Sequence, residues 1–324
     1  MRALPAIALA LLLTAPGCGE QGDRAARDPR PARALTVALD FVPNPVHAGI
    51  YAGVAEGSDR ARGVALRVRA PSASSDSLKL LTSGRAELAV VDIQDLGLAR
   101  ERGEDIVGVG ALVQRPLAAV IARPPVRRPR DLEDRRVGVT GLPSDEAVVR
   151  ALVEADGGEP RRVRQTTIGF SAVPALASRR VAGATAFWNA EGVALRERGV
   201  ATREFRVGEL AGPRYPELVL VVKRETLRRD RARVAAAVAA VRAGTESVLR
   251  DPRPGLAAIA RASGGDRALE RAQFEAVRPA LRPAVRLDRV ALEGWADFAT
   301  RFGILRSRPD VDRAFDFEVA GATR

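Results

Sequence analysis

The chain has 324 residues, 46% of them apolar, with a formal net charge of +12; it is long enough to bury a core and too apolar for a disordered chain. The positive charge is almost all arginine, with Lys79 and Lys223 the only lysines, and 40 acidic residues are scattered among the arginines. No basic stripe interleaved with aromatics is present, which argues against a nucleic-acid partner, and one histidine with one cysteine excludes an intrachain disulfide and a His/Cys metal cluster.

Residues 1–18 join a basic start, Met1-Arg2, to a short apolar run that includes Ala6 to Leu13, and then to small residues before Cys18. That is the pattern of an export signal. The run is well short of the roughly 20 residues a membrane-spanning helix needs. Small residues followed by cysteine resemble a bacterial lipobox, although Ala15 stands where such boxes usually carry leucine. Lipidation of Cys18, anchoring the protein on the extracytoplasmic face of the cell membrane, is therefore expected; the alternative is ordinary signal cleavage with an incidental cysteine. Residues 19–33 are polar and aperiodic, which suits a flexible tether.

Beyond the tether, short β-rich runs alternate with helical spacing. Strands are predicted over 35–41, 64–69, 88–92 and 106–114, with helices over 46–56, 76–83 and 95–103. A proline-rich, charged break at 123–136 precedes strands over 137–140, 163–167 and 183–187 and helices over 144–154, 172–179 and 191–198. One more strand follows at 218–223, and from Arg228 the chain reads as almost wholly helical before a short extended "RAFDFEV". Such alternation predicts an α/β fold with mixed, mostly parallel sheets flanked by helices. A helical tail has to pack on something, and the first unit is the natural partner. We therefore expect a discontinuous lobe 1 (34–122 plus 216–324), an inserted lobe 2 (123–215), and hinge crossovers near 122–126 and 210–217. Facing lobes of this kind bind ligands in the cleft outside the carboxyl ends of their strands.

Candidate ligand residues cluster at those ends. "LDFVPNPVHAGIYAGVAEG" (39–57) gathers Asp40, Phe41, Asn44, the sole histidine His47 and Tyr51 just after the first strand. Pro43 and Pro45 hold a rigid turn, and His47 and Tyr51 share a helix face at i, i+4; the competing reading is a satisfied core histidine. "GATAFWNAEG" (183–192) places Trp188, Asn189 and Glu191 at another strand end as a second wall, the competing reading being a core tryptophan with a surface carboxylate. Weaker candidates are Ser74 and Ser144 at helix N-termini, Asp92 and Gln114 at strand ends, and Tyr215 in the second crossover. No Walker A, GxGxxG or GxSxG motif occurs, so no catalytic residue, cofactor or metal is expected.

The stretch 39–57 resembles the LDWxPNxxHxGxYxAxxxG motif of the thiamine-pyrimidine-precursor binding family, solute-binding proteins of ABC transporters with the two-lobed type II periplasmic-binding fold. The resemblance continues, with motifs in order, through "SDSLKLLTSGRAELAVVD", "VGVTGLPSDEAVVRALVEADGG" and "GATAFWNAEG", and covers residues 35–225. It implies a monomeric binding protein that serves an ABC permease and ATPase. Its pocket would draw Asp40, Asn44, His47 and Tyr51 from one lobe and Trp188 and Glu191 from the other. Phe41 replaces the family's usual tryptophan. The implied ligand is a flat aminopyrimidine stacked on Trp188, with Tyr51 or Phe41 opposite. Relatives of this fold also bind riboflavin, nitrate, sulfonates or taurine. One branch comprises pyrimidine synthases that use pyridoxal phosphate and a cysteine-rich motif, and this chain lacks that cysteine cluster.

Overall fold

The computed structural model describes residues 32–72, 76–212 and 214–321. The export signal, Cys18, nearly all of the tether and Ser74 lie outside them. The first unit runs β1 (Arg33–Ala38), α1 (Ala48–Ala55), β2 (Val64–Arg69), α2 (Asp76–Thr82), β3 (Leu88–Asp92), α3 (Ile93–Glu101) and β4 (Ile106–Ala111). The second runs β5 (Ala118–Ala122), β6 (Arg136–Val139), α4 (Pro143–Ala155), β7 (Arg164–Thr167), α5 (Ala172–Ala177), β8 (Gly183–Phe187), α6 (Val193–Glu197), β9 (Arg203–Arg206) and α7 (Val207–Leu210). The chain then returns as β10 (Leu218–Lys223) and ends in six helices: α8 (Arg224–Arg229), α9 (Arg231–Arg250), α10 (Arg253–Ser263), α11 (Arg267–Val277), α12 (Arg289–Arg301) and α13 (Val311–Ala314).

Two five-stranded sheets result, ordered β2-β1-β3-β10-β4 and β7-β6-β8-β5-β9. In each, four strands run one way and one runs against them: β10 is antiparallel to β3 and β4, and β5 to β8 and β9. The central strands read "LAVVD", "AAVIA" and "LVLVVK" because helices cover both faces and leave no face for polar residues. Edge strand β2 puts Arg67 and Arg69 into solvent, charges that discourage pairing with another chain.

Three sequence-based expectations change. Ala118–Ala122 belongs to the second sheet, so the first crossover lies at 112–117 rather than 122–126, and the second occupies 211–217. The composition break at 123–136 marks a surface loop inside lobe 2, not its boundary. Strand β9, the short "REFR" at the sheet edge, has too few apolar residues to be read as a strand. In "RAFDFEV" only Phe315 pairs, by a single bridge to Gly108.

The helical tail does pack on lobe 1, most closely where α9 crosses α1. A Cβ on Gly244 would stand 2.1 Å from the Gly49 carbonyl oxygen and 2.5 Å from the Gly53 nitrogen, so the helices meet backbone to backbone. Overpacking such a contact costs about 1–3 kcal/mol or more. Gly244→Ala should therefore lower the thermal midpoint by several degrees; an unchanged midpoint would show that the crossing can spread freely.

Candidate functional site

The cleft between the lobes is walled by the carboxyl ends of the parallel strands. Asp40 and Phe41 follow β1, Asp92 ends β3, Thr140 and Leu142 follow β6, and Phe170 follows β7. Phe187 ends β8 and Glu191 lies four residues on. The opposed strands contribute their amino ends, through Ala118 and Leu218. Its volume of about 180 Å³ suits a single-ring solute rather than the larger ligands of typical 300–1,000 Å³ pockets.

On the lobe 1 side, Asn44 caps the turn that carries the first motif. Its Oδ1 accepts from the Val46 N–H at 3.1 Å and its Nδ2 donates to the Val42 carbonyl at 3.0 Å. His47 is fully buried. Its Nδ1 accepts from the Asn44 N–H at 3.3 Å, which leaves Nε2 as the protonated nitrogen, donating to Asp40 Oδ1 at 2.9 Å. Both ring nitrogens are thus engaged, and His47 acts as a positioning residue that aims Asp40 into the cleft. Tyr51, one turn on, packs in the lobe 1 core, where burial raises its hydroxyl pKa.

On the lobe 2 side, residues 188–192 form one wide π-helical turn, of the kind often found at functional sites. It brings Glu191 back to the strand end, where Oε2 accepts from the Phe187 N–H at 3.1 Å. Burial pushes the Glu191 carboxyl up to about 7, and the charge of Asp40 on the facing lobe adds to the rise. The same turn points Trp188 away from the cavity: its indole N–H donates to the Pro116 carbonyl at 3.1 Å and its ring lies under the Arg206 guanidinium. Trp188 therefore cannot be the stacking wall expected of it. Phe41 and Phe170 are the aromatic rings that line the cavity together with Phe187, and the first two meet edge to face at 4.3 Å from opposite lobes.

Asp40, Phe41, Asp92, Ser144 and Glu191 line the cavity; Asn44, His47, Tyr51, Gln114, Trp188, Asn189 and Tyr215 do not. Gln114 staples a distant loop instead, donating to the carbonyls of Ala111, Pro283 and Arg286 at 2.9–3.0 Å. Tyr215 is buried against Phe298. Sequence reading missed Asp95, Asp145, Thr140, Phe170 and the rim residue Arg102. Thr140 and Phe170 had a usable signal, since both lie within three residues of a predicted strand end.

At the cleft, one N–H of the first turn of α3 and the two loop N–H groups that lead into α4 are engaged by the chain's own carboxylates. Asp92 caps α3 by accepting from the Gln94 N–H at 2.7 Å. Asp145, in the first turn of α4, accepts from the Gly141 and Leu142 N–H groups at 2.9 and 3.0 Å. The hydroxyls of Thr140 and Thr185 also donate to it, at 2.8 and 2.6 Å. Asp95 receives a hydrogen bond from Ser144 of the facing lobe; burial pushes it up to about 7, helped by Asp145 and opposed by Arg102. Five carboxyl groups and the hydroxyls of Ser77, Thr140, Ser144 and Thr185 thus meet one guanidinium around a cavity otherwise lined by apolar side chains. Among the described residues, no His, Cys, Asp and Glu group is arranged to hold a metal ion.

These burial effects set the pH dependence of the unliganded fold. Glu191 and Asp95 keep a proton to about pH 7 when folded, against ordinary values of 4.5 and 3.8. The folded state binds more protons across that interval, so their stabilisation is complete below the ordinary values and is lost as pH rises through about 7. The ligand-free protein should melt several degrees higher at pH 5 than at pH 8, and Glu191→Gln should reduce the difference. A midpoint that rises over this range would contradict the assignment.

Comparison with known proteins places this architecture. The family described as NMT1/THI5 like matches residues 44–254. The formylaminopyrimidine-binding protein of Halalkalibacterium halodurans is 30% identical over 199 residues, which span 60% of this chain and 60% of that protein. Among solved structures, the ligand-binding component of an ABC-type import system from Staphylococcus aureus, solved with zinc bound, superposes with a TM-score of 0.73 at 13% identity, covering 89% of this chain and 98% of that one. The periplasmic aliphatic sulphonate binding protein SsuA from Escherichia coli gives 0.69 at 15% identity, covering 90% and 99%. The fold is that of the type II periplasmic-binding proteins, and by its match over residues 44–254 the chain belongs to the NMT1/THI5-like family.

Proposed function

We propose that this protein is the extracytoplasmic solute-binding component of an ABC importer and that its solute is a small, flat heteroaromatic amine of the aminopyrimidine class. The observation that carries this reading is the pair of carboxyls, Asp40 and Glu191, facing one another from opposite lobes across an apolar cavity. An aminopyrimidine offers exocyclic N–H donors and a ring nitrogen that becomes cationic on protonation, both matched by carboxylates. Phe41 and Phe170 supply flat apolar surface for the ring. The ligand named for the Halalkalibacterium relative is of this chemistry.

Above about pH 7 nitrate or a sulfonate would meet ionised carboxylates with one guanidinium to offset them, an arrangement that rejects anions by like charge. A pyrimidine synthase is disfavoured because the one histidine is fully buried with both nitrogens engaged. The protein binds and releases its solute unchanged, by closure of the two lobes about their crossovers, and delivers it to a permease and ATPase pair. Lipidated Cys18 holds it at the membrane through the 19–33 tether, and no helix of the described residues is long and apolar enough to cross a membrane.

Calorimetry of the purified mature protein at pH 8 should give saturable binding of formylaminopyrimidine and none of nitrate or ethanesulfonate. Truncating a charged partner of a buried hydrogen bond costs about 2–5 kcal/mol, so Asp40→Asn and Glu191→Gln should each weaken binding more than tenfold. Tight anion binding that both variants leave unchanged would overturn the aminopyrimidine reading. In cells, Cys18→Ser should move the protein from the membrane fraction to the soluble one; a wild type already soluble would refute the anchor.

A further inference from the structure

A second pocket, sharing no lining residue with the solute cleft, opens beside the two crossovers. It has a volume of about 470 Å³ and takes residues from both lobes: Trp188, Arg196 and Arg206 from lobe 2, Ala276 and Pro279 from the helical part of lobe 1. The first crossover adds Arg115 and Pro116, and the second adds Arg214. Trp188 is held rigidly here, tied to the Pro116 carbonyl at 3.1 Å, with the Arg206 guanidinium 4.3 Å over its ring.

The charges in this pocket do not balance. Arg196 and Arg206 share Glu204, and Arg206 also reaches Glu209 at 3.1 Å. Arg115 and Arg214 are exposed and have no carboxylate partner among the described residues. They stand on different crossovers, so a single ligand that neutralises both must carry about two negative charges and several acceptor oxygens. A phosphate group has that charge and oxygen count near neutral pH, and the guanidinium fork matches its geometry. The solute cleft is acidic and this pocket is basic, so the two select opposite ligand charge.

We propose that the pocket is a binding site for a phosphate-bearing molecule, with Arg115 and Arg214 as the clamp and Trp188 as the floor. The same chemistry is offered by a free phosphate ester and by the headgroup of an anionic phospholipid. Because the site touches both lobes and both crossovers, its occupant holds one setting of the hinge, and by linkage solute and phosphate alter each other's affinity.

Tryptophan fluorescence reads this site directly. Trp188 and Trp295 are the only tryptophans, and Trp295 is fully buried in the lobe 1 core. Titration of the mature protein with inorganic phosphate and glycerol phosphate, and separately with phosphatidylglycerol vesicles, should give a saturable change that Trp188→Phe removes. Saturation by the soluble phosphates supports a free ligand; response to vesicles alone supports a lipid headgroup. The Arg115→Gln, Arg214→Gln double variant should bind at least tenfold more weakly. Arg67→Gln with Arg69→Gln, which removes the same charge from an exposed edge strand, should leave binding intact. No saturable change with either kind of probe, or undiminished affinity in the Arg115, Arg214 variant, would overturn the proposal.

Discussion

Glu217 sits in the second crossover with its carboxylate fully buried, and the N–H groups of Leu117, at the end of the first crossover, and Ala118, the first residue of β5, both donate to it. Its own N–H donates to the Val113 carbonyl at 3.1 Å and its carbonyl accepts from Ile93 at 2.9 Å. The two passages of chain between the lobes are therefore held side by side. The same glutamate also reaches the cleft wall. Asp92 hydrogen-bonds to Glu217, and burial together with the Glu217 charge holds the Asp92 carboxyl well above the usual range. A glutamate there satisfies two buried N–H groups that would otherwise each cost about 1–3 kcal/mol.

The same economy of charge runs through the site. Carboxylates are expensive to enclose in an apolar cavity, and the chain lowers that cost in two ways. Asp145 is met by backbone and hydroxyl donors. Glu191 and Asp95 are partly neutralised by protons, their titration lifted to about 7. A ligand that brings its own N–H donors substitutes for those protons. An anion brings no donor, and it meets like charge once these carboxyls ionise. The lobes meet through the cavity walls themselves, Phe41 on Phe170 and Ser144 on Asp95.

Much of this was legible in the sequence because strand periodicity and strand ends are local properties. "GATAF" and "LVLVVK" were read at their observed limits, and Asp40, Phe41, Asp92 and Glu191 were placed at the cleft by position alone. What failed was the direction of side chains in irregular turns. A π-helical turn swings Trp188 out of the cleft and Glu191 into it, and nothing in "FWNAEG" announces the extra residue per turn. His47 and Asn44 look like ligand groups in sequence, yet their hydrogen bonds are spent on the turn that aims Asp40. The lobe boundary was misplaced because an apolar strand followed by a proline-rich loop reads alike on either side of a hinge.

The proposed recognition has two carboxyls from opposite lobes contacting one amine-bearing ring. A crystal structure of the mature protein grown at pH 8 with formylaminopyrimidine tests that most directly. It should show the ring in the cavity beside Phe41 and Phe170, with nitrogen atoms within hydrogen-bond distance of both Asp40 and Glu191. A ring seated elsewhere, or one whose nitrogens reach neither carboxyl, would contradict the account.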